Sequence, residues 1–178
     1  MALLGKLFGL EGSSPPELLD QGAQADAIRS ITEALDRMDP ERARFIASFA
    51  YILGRVAHAD RGISEEETRV MERIVSERGA LPEEQAILVV QIAKTQNLLF
   101  GGTENFIVTR EFNRLATREQ KLAMLDCLFS VSAADGSVST REDNEVRIIA
   151  DELKLDHSDF IAARSAYRDY LAVLKERE

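Results

Sequence analysis

A chain of 178 residues with 45% hydrophobic side chains is long enough to bury a core of its own and too apolar to be disordered or fibrous. Its 22 Lys and Arg against 31 Asp and Glu leave a formal net charge of −9 with no basic stripe, which argues against a nucleic-acid partner. The single cysteine, Cys127, cannot close an intramolecular disulfide, so a reducing, cytoplasmic setting is expected, and its apolar neighbours Leu125, Leu128 and Phe129 make it a small core residue.

Residues 1–16 read as an N-terminal tail or short amphipathic segment. Leu3, Leu4, Leu7, Phe8 and Leu10 form an apolar set that would pack on the body, touch a membrane surface or stay a tail. Lys6 interrupts it and no small-residue cleavage site follows, so a signal peptide is not expected. No apolar run approaches the roughly 20 residues a bilayer requires, so no integral membrane segment is expected.

Residues 17–178 read as one all-α domain of about seven to eight helices, with little period-two alternation. Pro15 and Pro16 open a helix to about Met38. Asp39-Pro40 supplies an N-cap followed by proline at the first helical position, and a long helix then runs to about Ala59. Its Phe45, Ile46, Phe49, Ile52, Leu53 and Val56 recur at three- and four-residue steps and predict a broad buried face. Ser64 starts the next helix, with Val70, Met71, Ile74 and Val75 inward until Gly79 and Pro82 break it; Glu83 to about Leu99 forms another, ending at Gly101-Gly102. Thr103 then caps a helix through Phe106 and Phe112. Thr117 and Gln120 make a capping box for the helix carrying Leu122, Leu125, Leu128 and Phe129. Val146, Ile149, Ala150 and Leu153 line the following helix, and the last starts at Asp156 or Ser158 with Phe160, Tyr167, Leu171 and Leu174 on its apolar side.

Two stretches repeat each other. Asp60, Ile63, Ser64 and Glu67 are matched by Asp135, Val138, Ser139 and Glu142 at one constant offset of 75 residues. The pattern predicts two duplicated helix-loop-helix units, over about 42–100 and 117–175, sharing one core. Ser64 with Glu67 and Ser139 with Glu142 both fit the capping box, which by itself explains those four residues. Asp60 and Asp135 ask for more, because each falls near the carboxyl end of a helix, where the macrodipole disfavours negative charge. Compensation would come from the amino end of the next helix through an Asx-type turn, from a neighbouring Arg or Lys, or from a divalent cation. An EF-hand is excluded: its first and third ligand positions would be Val56 and His58 in one copy and Val131 and Ala133 in the other.

Ala57-His58-Ala59-Asp60 with Ile63-Ser64-Glu65-Glu66-Glu67, and Ala133-Ala134-Asp135-Gly136 with Val138-Ser139 and Glu142, each between amphipathic helices, resemble the TerB family of tellurite-resistance proteins. The resemblance spans roughly residues 42–167 and extends to the fold of the N-terminal domain of DjlA-type co-chaperones. It implies an all-helical bacterial protein, inside the cell and peripheral to the inner membrane through membrane-associated protein partners, with a role in chemical stress. It also implies a divalent cation, Ca²⁺ or Mg²⁺, on Asp60, Glu67, Asp135 and Glu142. One departure weakens the first loop: glycine follows the aspartate directly at Asp135-Gly136, but Arg61 intervenes before Gly62 and can itself neutralise Asp60 or Glu67. The second pair, Asp135 and Glu142, is therefore the favoured site.

An enzyme is not expected, and a hydrolase using the paired carboxylates and a metal is only a remote third reading. The only histidines are His58 and His157, and neither a Gly-x-Ser-x-Gly elbow nor a glycine-rich phosphate loop is present. The expected function is non-enzymatic: an acidic module that binds a cation, a basic protein partner, or both. The alternative is a metal-free helical scaffold whose acidic loop residues serve only helix capping.

Overall fold

The computed structural model describes residues 21–57, 64–95 and 105–175. Among these the chain is all-helical, with α1 (Gln21–Asp36), α2 (Pro40–Val56), α3 (Glu65–Arg78), α4 (Glu83–Lys94), α5 (Asn105–Leu115), α6 (Arg118–Ser132), α7 (Thr140–Glu152), α8 (His157–Ser165) and a four-residue α9 (Ala172–Lys175). Single-turn 3₁₀ segments lie at Ala133–Asp135 and Arg168–Tyr170. No helix among the described residues is long and apolar enough to cross a membrane.

The core is organised around α2. Asp39 starts it as read from the sequence: its carboxylate accepts from the backbone N–H groups of Glu41 (2.9 Å) and Arg42 (3.2 Å), with Pro40 filling a position where no N–H is needed. Every residue from Phe45 to Leu53 is buried, so the helix is covered nearly all round rather than along one stripe. Helices α4 and α5 pack along its length, and α1, α6 and α7 complete the cover. Phe112 of α5 stacks on Phe45 at 5.2 Å and meets Phe49 edge-on at 6.0 Å. Burying each such ring contributes about 2 kcal/mol relative to leaving it in water.

One charged side chain enters this apolar setting. Arg55, 6% exposed, donates to Glu145 Oε1 at 2.8 Å, to Glu152 Oε2 at 2.6 Å and to Thr109 Oγ1 at 3.1 Å, and so ties the end of α2 to α7 and α5. Burial would lower its pKa, but hydrogen bonds and charge from Glu152, then Glu145, raise it above the ordinary arginine value.

Gly79 ends α3 for a packing reason. A Cβ there would lie 2.5 Å from the Val75 carbonyl oxygen and 2.9 Å from the Phe49 ring, so no larger residue fits between α3 and α2.

The carboxyl end departs from the sequence reading. Instead of one helix carrying Phe160, Tyr167 and Leu171 on a single face, α8 stops at Ser165 and Leu171 is extended, at φ −69° and ψ 114°. Leu171 pairs with Val138 in an isolated parallel β-bridge, and both side chains are 1% exposed. Burial of Leu171 against another part of the chain outweighs the local helical pattern, which has no glycine or proline to stop it. Among the other readings, α4 ends at Lys94, while the Gly101-Gly102 break, the Thr103 cap and the tail at 1–16 lie outside the described residues.

Asp39→Ala should cost about 1 kcal/mol by chemical denaturation, because it leaves two N–H groups of the central helix without their acceptor.

Candidate functional site

Two of the four predicted acids begin helices. At α3 the Glu67 carboxylate accepts from the Ser64 N–H at 2.7 Å while the Glu67 N–H donates to Ser64 Oγ at 3.2 Å. At α7 Glu142 Oε2 accepts from the Ser139 N–H at 2.8 Å and from the Ser139 hydroxyl at 2.6 Å, and the Glu142 N–H donates to Ser139 Oγ at 3.2 Å. These are the two capping boxes expected. The hydrogen bonds from the Ser64 side chain and backbone hold the Glu67 carboxyl below the usual carboxylate range.

Asp135 is exposed and ends the 3₁₀ turn after α6. Its Oδ1 accepts from the Ser137 N–H at 3.1 Å, the Asx-type turn named as one source of compensation. Gly136 follows in the left-handed region at φ 91°, donating its N–H to the Ala133 carbonyl at 2.9 Å. This conformation is the physical reason for glycine in the Asp-Gly pair. Two residues on, Val138 is held on both sides: its N–H donates to the Tyr170 carbonyl at 2.7 Å and its carbonyl accepts from Ala172 N–H at 3.0 Å. Asp60, Arg61 and His58 lie outside the described residues.

Asp135 and Glu142 thus flank one clamped loop. No group of three or more His, Cys, Asp and Glu suited to a metal ion gathers among the described residues. Ca²⁺ takes six to eight oxygen ligands and Mg²⁺ six, the latter keeping much of its water. The Asp135–Glu142 donor set, with Glu142 also capping α7, fits at most a cation that remains largely hydrated.

Beside this loop lies a feature that sequence reasoning missed, a surface groove of about 580 Å³ between α3 and the ends of α6 and α8. Val70 and Ile74 of α3, expected to point fully inward, are only half-buried and line it, while Met71 and Val75 take the core positions. The opposite wall is Ser130, Ala133, Ala134, Tyr167 and Tyr170, the last 42% exposed. Tyr167 stacks on Phe129 at 5.7 Å and donates its hydroxyl to Asp126 Oδ1 at 2.7 Å, and burial, then Asp126, pushes its pKa up to about 12. Charge on the rim is locally offset: Arg78 lies 3.5 Å from Asp126, and Arg73 stands one turn from Glu77. A half-exposed Val and Ile four residues apart was the available signal for the α3 wall; the tyrosines could not be placed without the turn after α8.

Missed as well were Glu145 and Glu152 as partners of Arg55. The signal was Arg55 itself, an arginine three residues after Ile52 that follows the uncharged run from Phe45 to Gly54. Cys127 is buried as expected, and that burial pushes its thiol pKa up.

Two Ser–Glu caps, an Asp-Gly loop and an adjoining groove sit on an all-helical body. The family model described as tellurite resistance protein TerB matches residues 45–165, more than half of the sequence, and the chain belongs to that family. No curated protein and no solved structure matches it.

The Glu67 carboxyl should titrate below an ordinary glutamate by NMR, and Ser64→Ala should move it back toward the usual range. Because the folded pKa is lowered, its contribution to stability is present above the ordinary glutamate range and fades as pH falls through the lowered value. Gly136→Ala should destabilise the fold by about 1–2 kcal/mol, since open space around it leaves only the left-handed backbone to oppose a Cβ. Gly136→Asn should cost less in the same denaturation assay.

Proposed function

We propose that this chain is a non-enzymatic TerB-type module of a chemical-stress response, of the tellurite-resistance kind, that acts by docking a protein partner in the groove beside its second acidic loop. The observation that carries this reading is the half-exposed apolar lining of Val70, Ile74 and Tyr170 on an otherwise charged surface. The groove lining is mixed and more polar than apolar, with Val70, Ile74 and Tyr170 set among Arg73, Glu77 and Arg78; those apolar side chains anchor by burial, while the net charge of −9 steers a basic partner at long range. A basic protein segment presenting apolar side chains is the occupant that suits both. A membrane-associated protein of this character would bring the module to the inner membrane without a spanning helix of its own.

The matched caps at Ser64 and Ser139 support a duplicated helix-loop-helix unit as the origin of the two loops. Within this reading Glu67 and Glu142 serve capping. A divalent cation at Asp135 and Glu142 is a second element, favoured by the exposure of Asp135 at the end of a helix, and it would take its remaining ligands from water and backbone carbonyls.

A photo-crosslinking residue placed at Ile74 or at Tyr170 should give one shared protein adduct in cells, and the same residue at the exposed Ile161 of α8 should not. Adducts only from Ile161, or none from either groove position, would contradict the docking site. Calorimetric titration with Ca²⁺, Mg²⁺ or Mn²⁺ separates the second element: heat that disappears in Asp135→Ala supports the cation, and no heat at millimolar metal removes it.

A further inference from the structure

The segment after α8 is attached to the body through a short set of contacts at its two ends, with an exposed turn between them. Tyr167 leaves the helix, Arg168–Tyr170 makes one 3₁₀ turn, and Arg168, Asp169 and Tyr170 are exposed. What holds it is the pair of backbone hydrogen bonds to Val138, the burial of Leu171, the packing of Val173 on the core, and Tyr167, which stacks on Phe129 and donates its hydroxyl to Asp126. The family match stops at residue 165, just short of this segment. A terminal stretch with one fully buried side chain, Leu171, and three exposed residues opens at a lower free energy than the core helices it rests on.

Two functional elements meet in this attachment. Tyr170 supplies its side chain to the groove and its carbonyl to Val138, and Val138 lies between Asp135 and Ser139. Lifting the segment removes a groove wall and releases both backbone groups of the loop in the same event.

We propose that residues 167–175 form a strap that opens as a unit and controls both the groove and the second acidic loop. Closed, the strap completes the groove and fixes Val138; open, it dismantles the docking surface and lets the Asp135–Ser139 loop move. The control of docking rests on the groove reading above, whereas the opening itself is a property of the unbound chain.

Amide hydrogen exchange followed by NMR on the full chain tests the opening. The Val138 and Ala172 amides, donors of the two bridging hydrogen bonds, should exchange at one common rate, faster than the amides of α2 and α6. Leu171→Ala should raise both rates by about tenfold or more and leave those helix amides within about twofold. Unequal rates for Val138 and Ala172 in the wild-type chain, or equal acceleration of the helix amides in the variant, would overturn the strap. In the crosslinking assay, Leu171→Ala should lose the Ile74 adduct that the wild-type sequence gives. An adduct retained by the variant removes control of docking, and no adduct in the wild-type sequence removes the docking reading while the exchange result stands on its own.

Discussion

A buried arginine at the end of the central helix sets the arrangement of everything that follows it. Taking the Arg55 guanidinium largely out of water is costly, and its short hydrogen bonds to the partly exposed carboxylates of Glu145 and Glu152 offset this. Such a cluster contributes specificity more than net stability, because removing one partner strands the others. Positive charge near the carboxyl end of α2 also complements the helix dipole there. Two carboxylates of α7 on one guanidinium fix the rotation of α7 against α2, and Thr109 brings α5 into the same arrangement.

From α7 the constraint passes along the chain. Its first turn holds the Ser139–Glu142 cap, so a fixed α7 fixes the loop from Asp135 to Ser139. Val138 in that loop grips the strap, and the strap carries Tyr170 to the groove. A separate bidentate pair, Arg164 with Asp143 at 2.8 Å, locks α8 onto α7 and places the strap's starting point. Glu67, Asp135 and Glu142, three of the four acids that first suggest a pair of ion sites, are thus engaged in local hydrogen bonds.

What could be read from the sequence was local or periodic. The Asp39, Ser64, Thr117 and Ser139 caps depend on residues within four positions of one another, and the apolar stripe of α7 follows one helical period. What could not be read depends on residues far apart in the chain. Arg55 meets acids 90 and 97 residues away, and Leu171 leaves its helical pattern to pair with Val138. The groove likewise joins α3 to the chain end. For the candidate acids, capping was legible at Glu67 and Glu142, and the Asx turn at Asp135 was one of three readings left open until the fold settled which N–H it meets.

The most direct test of this account is a double-mutant cycle between Arg55 and Glu152, using Arg55→Met and Glu152→Gln and reading unfolding free energies by chemical denaturation. The account predicts a coupling energy of about 1–3 kcal/mol with a single cooperative transition in the wild-type chain. Additivity within about 0.5 kcal/mol would contradict it, since the arginine would then hold no special place in joining α2 to α7.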